Sequence, residues 1–489
     1  MGSHGGAISD LILPHSRFYH GPFGRMFRNL PPQDPAPVGN TDQAREQALQ
    51  KIVNKMFVDS PTRNNDKIPA GYTYFGQFVN HDITFDPTST LQRNNDPDKL
   101  SNFRTPRFDL DSLYGSGPDG DPFMYDRYAK PKGLLLLGEA KMSSTNGDLV
   151  PSGQDDLPRN KQERAIIGDP RNDENLIISQ LHLAFMKFHN RVMQELFDNG
   201  LKEPFAEAQR IVRWHYQYVV INDFLRRIVG QETFDKVFPI IDEERNHREP
   251  KLKVYKHKVQ PFIPIEFSVA AFRLHTMVRT VYTLQDSGKK FFIFSDDQEN
   301  SLAGARTLTE DKRIQWSKFF RIDGSIPQHS QLIDTQLAAG LKDVPSAGNL
   351  AFRNLLRGWR MGLPSGQAVS RAMDLLVPDY LEPKKNDPLW LYILREAESR
   401  SGDHGEHLGP VGGTIVAEVL LGLLESDPLS YLNVDPTWTP DRELAIRTLK
   451  DIAREQKKRD RDNPLPGQDP GQAVELDFQL RDIVHYATK

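Results

Sequence analysis

The chain has 489 residues and a net charge of −4, with 38% apolar and 26% charged side chains. That balance belongs to an ordinary globular protein and gives no basic excess of the kind a general nucleic-acid binder shows. There is no cysteine, which excludes disulfides, thiolate nucleophiles and every thiolate-ligated metal site together.

The N-terminus, "MGSHGGAISDLILPHSRFYHG", lacks a basic stretch followed by a long apolar core, so no cleaved leader is expected. A cytoplasmic location is the default, and export without a cleaved signal stays compatible with the sequence. Residues 1–40 read as an extended arm, Pro- and Gly-rich over 21–40, ahead of one domain spanning 41–489. A helix is predicted over 41–58 with Thr41 as its N-cap. Residues 87–162 and 285–345 read as long loops. From 172 onward the apolar spacing is mainly helical. It runs through "ENLIISQLHLAFMKFHNRVMQELF", "AQRIVRWHYQYVVINDFLRRIV", "FSVAAFRLHTMVRTVY", "AGNLAFRNLLRGWRMG", "PSGQAVSRAMDLL" and "PVGGTIVAEVLLGLL". The last is interrupted by Glu418 and too short to span a bilayer. Residues 459–472 read as a polar, Pro-rich surface loop. Strand signals are few and short, so the fold class expected is mainly α, a single large helical domain with long loops.

The stretch "GYTYFGQFVNHDITFDP" (71–87) is apolar and aromatic, yet carries Gln77, Asn80, His81 and Asp82 close together. Buried polar groups need partners, so these either are satisfied by the core or line a site. On a helix, Gln77 and His81 share a face and Asp82 points away from it. A core histidine held by a backbone partner is one reading. The His-Asp pair of a metal phosphohydrolase is another, although no convincing set of further ligands accompanies it.

"GQFVNHDITF" also resembles the distal motif of the animal-type haem peroxidases, the peroxidase–cyclooxygenase superfamily, and four further motifs follow in that family's order. "TPRFDLDSLYGSG" (105–117) resembles its calcium loop: Thr105, Arg107, Asp109 and Asp111 alternate, and Asp82 would complete the site. Carboxylates, a hydroxyl and carbonyls suit such a hard cation. "GDPRNDENLIISQLHLAFMKFHNRV" (168–192) resembles the family's distal arginine helix, with Arg171 beside His81 and Glu174, one helical turn later, near the haem edge. His189 in the later "FHNRV" reads as structural. In "EFSVAAFRLHTMV" (266–278), His275 matches the proximal iron ligand. In "NLAFRNLLRGWRMGLPSGQ" (349–367), Asn354 matches the acceptor of the proximal imidazole's hydrogen bond and Arg357 the partner of a haem propionate. "HLGPVGGTIVAEVLLGLL" is similar to the family's C-terminal helices, so the resemblance spans about 70–425.

The resemblance implies a haem b enzyme that reduces hydrogen peroxide and oxidises a small phenolic, other organic or halide donor, in keeping with a role under oxidative stress. His81 would be the acid–base group, Arg171 would stabilise charge on the departing oxygen, and Gln77 would hold a water in the distal cavity. Two departures qualify this. Mammalian members link haem by esters to an aspartate and a glutamate, but Asn80 stands at the aspartate position. Asn175 stands where one mammalian member has a linking methionine. At most one ester, through Glu174, is expected. The dioxygenase branch, including fatty-acid α-dioxygenases, has a radical tyrosine three residues before the proximal histidine, and here that residue is Phe272. Tyr282, read as lying on the same helix as His275, is a poor substitute. A catalytically silent relative is the third alternative, against which the joint presence of Gln77, His81, Arg171, His275 and Asn354 argues.

Overall fold

The computed structural model describes residues 23–36, 41–58, 63–85, 102, 104–143, 149–151, 153, 155–244, 247–257, 260–344, 348–399, 404–443, 445–462 and 478–489. The longer helices are α1 (Asp42–Val53), α2 (Gly71–Ile83), α3 (Leu176–Asp198), α4 (Phe205–Tyr218), α5 (Arg226–Val237), α6 (Leu350–Arg360), α7 (Gly366–Ala372), α8 (Leu389–Ser399), α9 (Pro410–Glu425), α10 (Arg447–Asp462) and α11 (Leu480–Thr488). The described strands are short and pair two by two. The fold is a helical one, with long loops.

Thr41 caps α1 by accepting from the Ala44 amide, as its residue type favours. The inner face of α2 is set by Phe75, Phe78, Val79 and Asp82, all fully buried. Phe78 stacks on Phe185 of α3 at 5.0 Å and meets Tyr216 of α4 edge-on at 6.0 Å. That aromatic wedge fixes the rotation of α2, and so turns its opposite face, with Gln77 and His81, into a cavity. Gly76 lets the π-helical segment Val219–Leu225 approach, since a Cβ there would lie 3.0 Å from the Phe224 ring. Around this centre α3 packs on α4 and α11, and α9 on α5.

Three expectations fail. The run 267–282 is not one helix: Phe267–Ala271 forms a π-helical turn, His275–Met277 a 3₁₀ turn, and Val281–Thr283 a strand paired with Lys290–Phe292. The β-branched and aromatic run at 280–283 favours a strand over a helix, so Tyr282 is not on a helix with His275. Arg171 sits on a 3₁₀ turn, Pro170–Asp173, ahead of α3. The Asn175 side chain starts that helix by accepting from Ile177 and Ile178 amides. Residues 459–462, expected in a loop, belong to α10, while 463–472 lie outside the described residues. Helices α8 and α11 also have no counterpart in the elements expected from sequence.

Within the expected N-terminal arm, residues 1–22 and 37–40 lie outside the described residues. Phe23–Gly24 pairs in parallel with Ile263–Pro264, and the Met26 and Phe27 amides donate to the buried Glu266 carboxylate at 3.1 and 3.2 Å.

Candidate functional site

A cavity of about 610 Å³ lies between α2, the 171–175 turn, the 265–278 segment and α6. Gln77, Asn80, His81, Arg171, Glu174, His275 and Arg357 all line it, as do Phe272 and Arg273. Residues separated by up to 280 positions are thus brought to one space.

On one wall, His81 Nδ1 lies 2.8 Å from Asn172 Oδ1. Burial, followed by the charge of Arg171, lowers the His81 pKa to about 3, so the ring is neutral and can accept a proton. Arg171 does not bond to that ring. Its Nη2 donates to the carbonyls of His81 at 3.0 Å and Thr84 at 2.6 Å, and its guanidinium lies 4.5 Å over the Phe85 ring. Asp169, a fully buried carboxylate, accepts from both Arg171 and Arg104. Gln77, expected to hold a water, donates its amide to Glu174. Glu174 is exposed to the cavity, and desolvation by its walls raises its pKa to about 7. The Asn80 side chain accepts from the Thr84 hydroxyl at 3.2 Å.

On the other wall, burial and then Arg273 lower the His275 pKa to about 3. A neutral imidazole is the form that binds a metal. Asn354 Nδ2 lies 2.9 Å from His275 Nδ1. The acceptor role implied by the resemblance needs the amide oxygen there instead. The two amide orientations have the same shape, and were a metal bound at Nε2, the proton would sit on Nδ1 and the amide oxygen would have to face the ring. Arg273 was not singled out from sequence. Burial, then the charges of Arg357 and Arg353, depress its pKa to about 9. Clustered guanidinium groups at a cavity wall call for anions.

A haem fits this donor set: one neutral imidazole to bind iron, a second left free across the cavity, and arginines suited to propionates.

Behind α2, the carboxylates of Asp82, Asp109 and Asp111 offer oxygens within 4.8 Å of one another. Leu110, between the last two, adopts the left-handed conformation (φ 56°, ψ 40°), a strained state for a branched side chain that interrupts the alternation of an extended loop. Burial, then mutual repulsion, raises the Asp109 pKa to about 6 and pushes Asp82 well above the carboxylate range. The chemistry suits a hard cation. Thr105 and Arg107 lie on the same loop, joined by a 2.8 Å backbone hydrogen bond, outside that trio of carboxylates. His189 is a core residue bonded to Tyr114 and the Gly133 carbonyl.

A family model described as animal haem peroxidase matches residues 91–383. The chain therefore belongs to the animal haem peroxidase family. It is 24% identical over 368 residues to a peroxidasin homologue of Caenorhabditis elegans, covering 68% of this chain and 26% of that protein. A peroxidase-like protein of Margaritifera margaritifera is 26% identical over 483 residues, covering 81% and 59%. The chain thus spans about a quarter and three-fifths of these two curated relatives. Among solved structures it resembles peroxidase A of Dictyostelium discoideum (TM-score 0.59, 15% identity, 96% of this chain and 93% of that one). It also resembles the fatty acid alpha-dioxygenase of Oryza sativa (TM-score 0.55, 13% identity, 92% and 84%). At these identities the likeness is one of fold.

Proposed function

We propose that this chain is a haem-dependent peroxidase that reduces hydrogen peroxide and oxidises small phenolic, other organic or halide donors. The observation that carries the reading is that His81 and His275 line one cavity, each with Nδ1 against an asparagine side chain. When bound, haem supplies an iron whose open position takes peroxide.

In this reading His275 binds iron through Nε2, and Asn354 accepts its Nδ1 proton. Arg357 and Arg273 hold the propionates. His81 takes a proton at Nε2 from incoming peroxide and returns it to the departing oxygen. Arg171, fixed beforehand by Asp169 and two backbone carbonyls, offers charge there without reorganising. Asp82, Asp109 and Asp111, with loop oxygens such as those of Thr105, hold calcium behind α2.

The second reading is a fatty-acid dioxygenase, favoured by the fold likeness and by the apolar wall of Phe23, Phe224, Val269 and Phe272. Phe272 has no hydroxyl from which a radical could form, which weighs against it.

Haem-loaded protein should show a Soret band and oxidise a phenol in proportion to added peroxide. His81→Ala should keep the band and slow peroxide reaction roughly 100-fold or more, the scale of a lost acid–base group. His275→Ala should lose the band. Oxygen uptake with palmitate and no peroxide would favour the dioxygenase, and protein that stays colourless with haem would defeat both readings.

A further inference from the structure

A buried polar chain continues from the cavity wall into the core. His81 Nδ1 lies 2.8 Å from Asn172 Oδ1, and Asn172 Nδ2 lies 3.0 Å from His182 Nδ1. Asn172 and His182 are fully buried and His81 nearly so. The contact with Asn172 is the one hydrogen bond of the His81 ring among the described residues.

An amide between two imidazole nitrogens must accept from one and donate to the other, because its oxygen has no proton and its nitrogen no usable lone pair. The tautomers of the two rings are therefore tied in opposite senses. With the oxygen toward His81, that ring carries its proton on Nδ1 and turns a bare Nε2 to the cavity. His182 is then bare at Nδ1 and protonated at Nε2, a buried nitrogen without a hydrogen-bond partner among the described residues. Native folds seldom leave a buried group in that condition without a reason. Were the amide reversed, His81 would present an N–H to the cavity and could take no proton there.

We propose that Asn172 and His182 are positioning residues: the amide ties the tautomers of the two rings together, and with its oxygen on His81 and its nitrogen on His182 it holds His81 in the tautomer that accepts a proton at Nε2. Charge around His81 comes from Arg171 and Asp169 on the turn, Arg104 on the loop behind it and Asp82 next in the chain. These groups set the field at the ring; the amide decides which nitrogen is bare. The inference rests on the peroxidase reading for the reaction it serves, while the tautomer is a property of the chain's own residues.

The test compares three associations with haem-loaded wild type and variants. Peroxide and cyanide bound to ferric protein each surrender a proton to a distal base, whereas CO bound to ferrous protein does not. Asn172→Ala and His182→Leu should slow peroxide and cyanide roughly 10- to 100-fold, part of what general acid–base catalysis supplies, and leave CO unchanged. His182→Gln, which keeps an acceptor, should restore most of the loss. In the diamagnetic CO adduct with ¹⁵N-labelled imidazoles, His81 should be protonated at Nδ1 and bare at Nε2. Wild-type rates in Asn172→Ala and His182→Leu, equal slowing of CO, or a proton found on His81 Nε2 would each overturn the proposal. If wild type binds haem yet ignores peroxide, the peroxidase reading fails, while the label still reports on the tautomer.

Discussion

Asp169 holds Arg171 from only two residues away, accepting from Nε at 3.0 Å and from Nη2 at 2.6 Å. The same carboxylate accepts from Arg104 Nε at 3.1 Å, and Arg104 continues to Asp111 at 3.3 Å. One buried anion therefore ties the cavity arginine to the loop that presents the carboxylate cluster. Gly168 makes the approach possible, since a Cβ there would lie 2.8 Å from the carbonyls of Asp111 and Ser112.

Burial alone would raise the Asp169 pKa, but the hydrogen bonds and charge of Arg171, with the charge of Arg104, outweigh it and hold the value at about 2. A folded-state pKa below the ordinary 3.8 stabilises the fold fully above about pH 4 and loses that contribution as pH falls toward 2. Asp169→Asn leaves Arg171 without its buried counterion and Arg104 with Asp111 alone, a loss of about 3–5 kcal/mol. Thermal melts from pH 2 to 6 should show a lower plateau and a shallower acid limb in the variant. An unchanged acid limb would contradict the assignment.

The cluster of Asp82, Asp109 and Asp111 has the opposite sign. Unfolded, these groups lose protons near 3.8, whereas in the folded cluster burial and mutual repulsion keep the proton up to about pH 6 at Asp109 and raise Asp82 well above 3.8. In the cation-free protein, stability should fall as pH rises through that window. Calcium competes with those protons, so the rise in Tm on adding it should be larger at pH 7 than at pH 5. At a hundred times its Kd a ligand adds about 2.7 kcal/mol. Asp109→Asn should shrink the calcium response, and a Tm indifferent to calcium and chelator at pH 7 would remove the site.

Glu418 explains the charge that interrupts the apolar run of α9. One carboxylate oxygen accepts from the amides of Lys253, Val254 and Tyr255 at 2.8, 2.7 and 2.9 Å, so it closes off a loop rather than breaking a helix. Glu418→Leu would leave these three amides without their acceptor at about 1–3 kcal/mol for each one buried. Only the Tyr255 amide belongs to a buried residue, so the variant should lose about 1–3 kcal/mol in denaturant melts, whereas Glu418→Gln, which keeps an acceptor oxygen, should lose less.

The legible parts of the site share one property: their meaning is local or carried by a motif. The face shared by Gln77 and His81, the acidic alternation at 109 and 111 beside Asp82, and the helical class follow from spacing and residue type. Asp169, Asn172, His182 and Arg273 look in sequence like a turn residue, a cap, a core histidine and a helix cation. Their partners are chosen by the packing of α2 against α3 and of the 265–278 segment against α6, which no periodicity encodes. The helix expected to carry both His275 and Tyr282 fails for a related reason. Apolar spacing continues through 278–283, but β-branched residues and a pairing partner at Lys290–Phe292 decide for a strand.

Glu174 provides the last prediction, because it can report on haem attachment and on proton balance together. Its carboxyl lines the cavity and accepts from Gln77, and Asn80 on the facing helix offers an amide that cannot form an ester. Acid–butanone extraction should therefore leave at most a singly linked fraction in the protein. That fraction should vanish in Glu174→Gln and grow in Asn80→Asp. Glu174 is solvent-accessible through the cavity, and desolvation by the surrounding walls raises its pKa from 4.5 to about 7, so the folded state holds this proton where the unfolded state has lost it. Stability of the haem-free wild type should then decline between about pH 4.5 and 7, and that part of the decline should be missing from Glu174→Gln. If the variant kept the same slope and the same unextractable haem, Glu174 would be neither the link nor the titrating group.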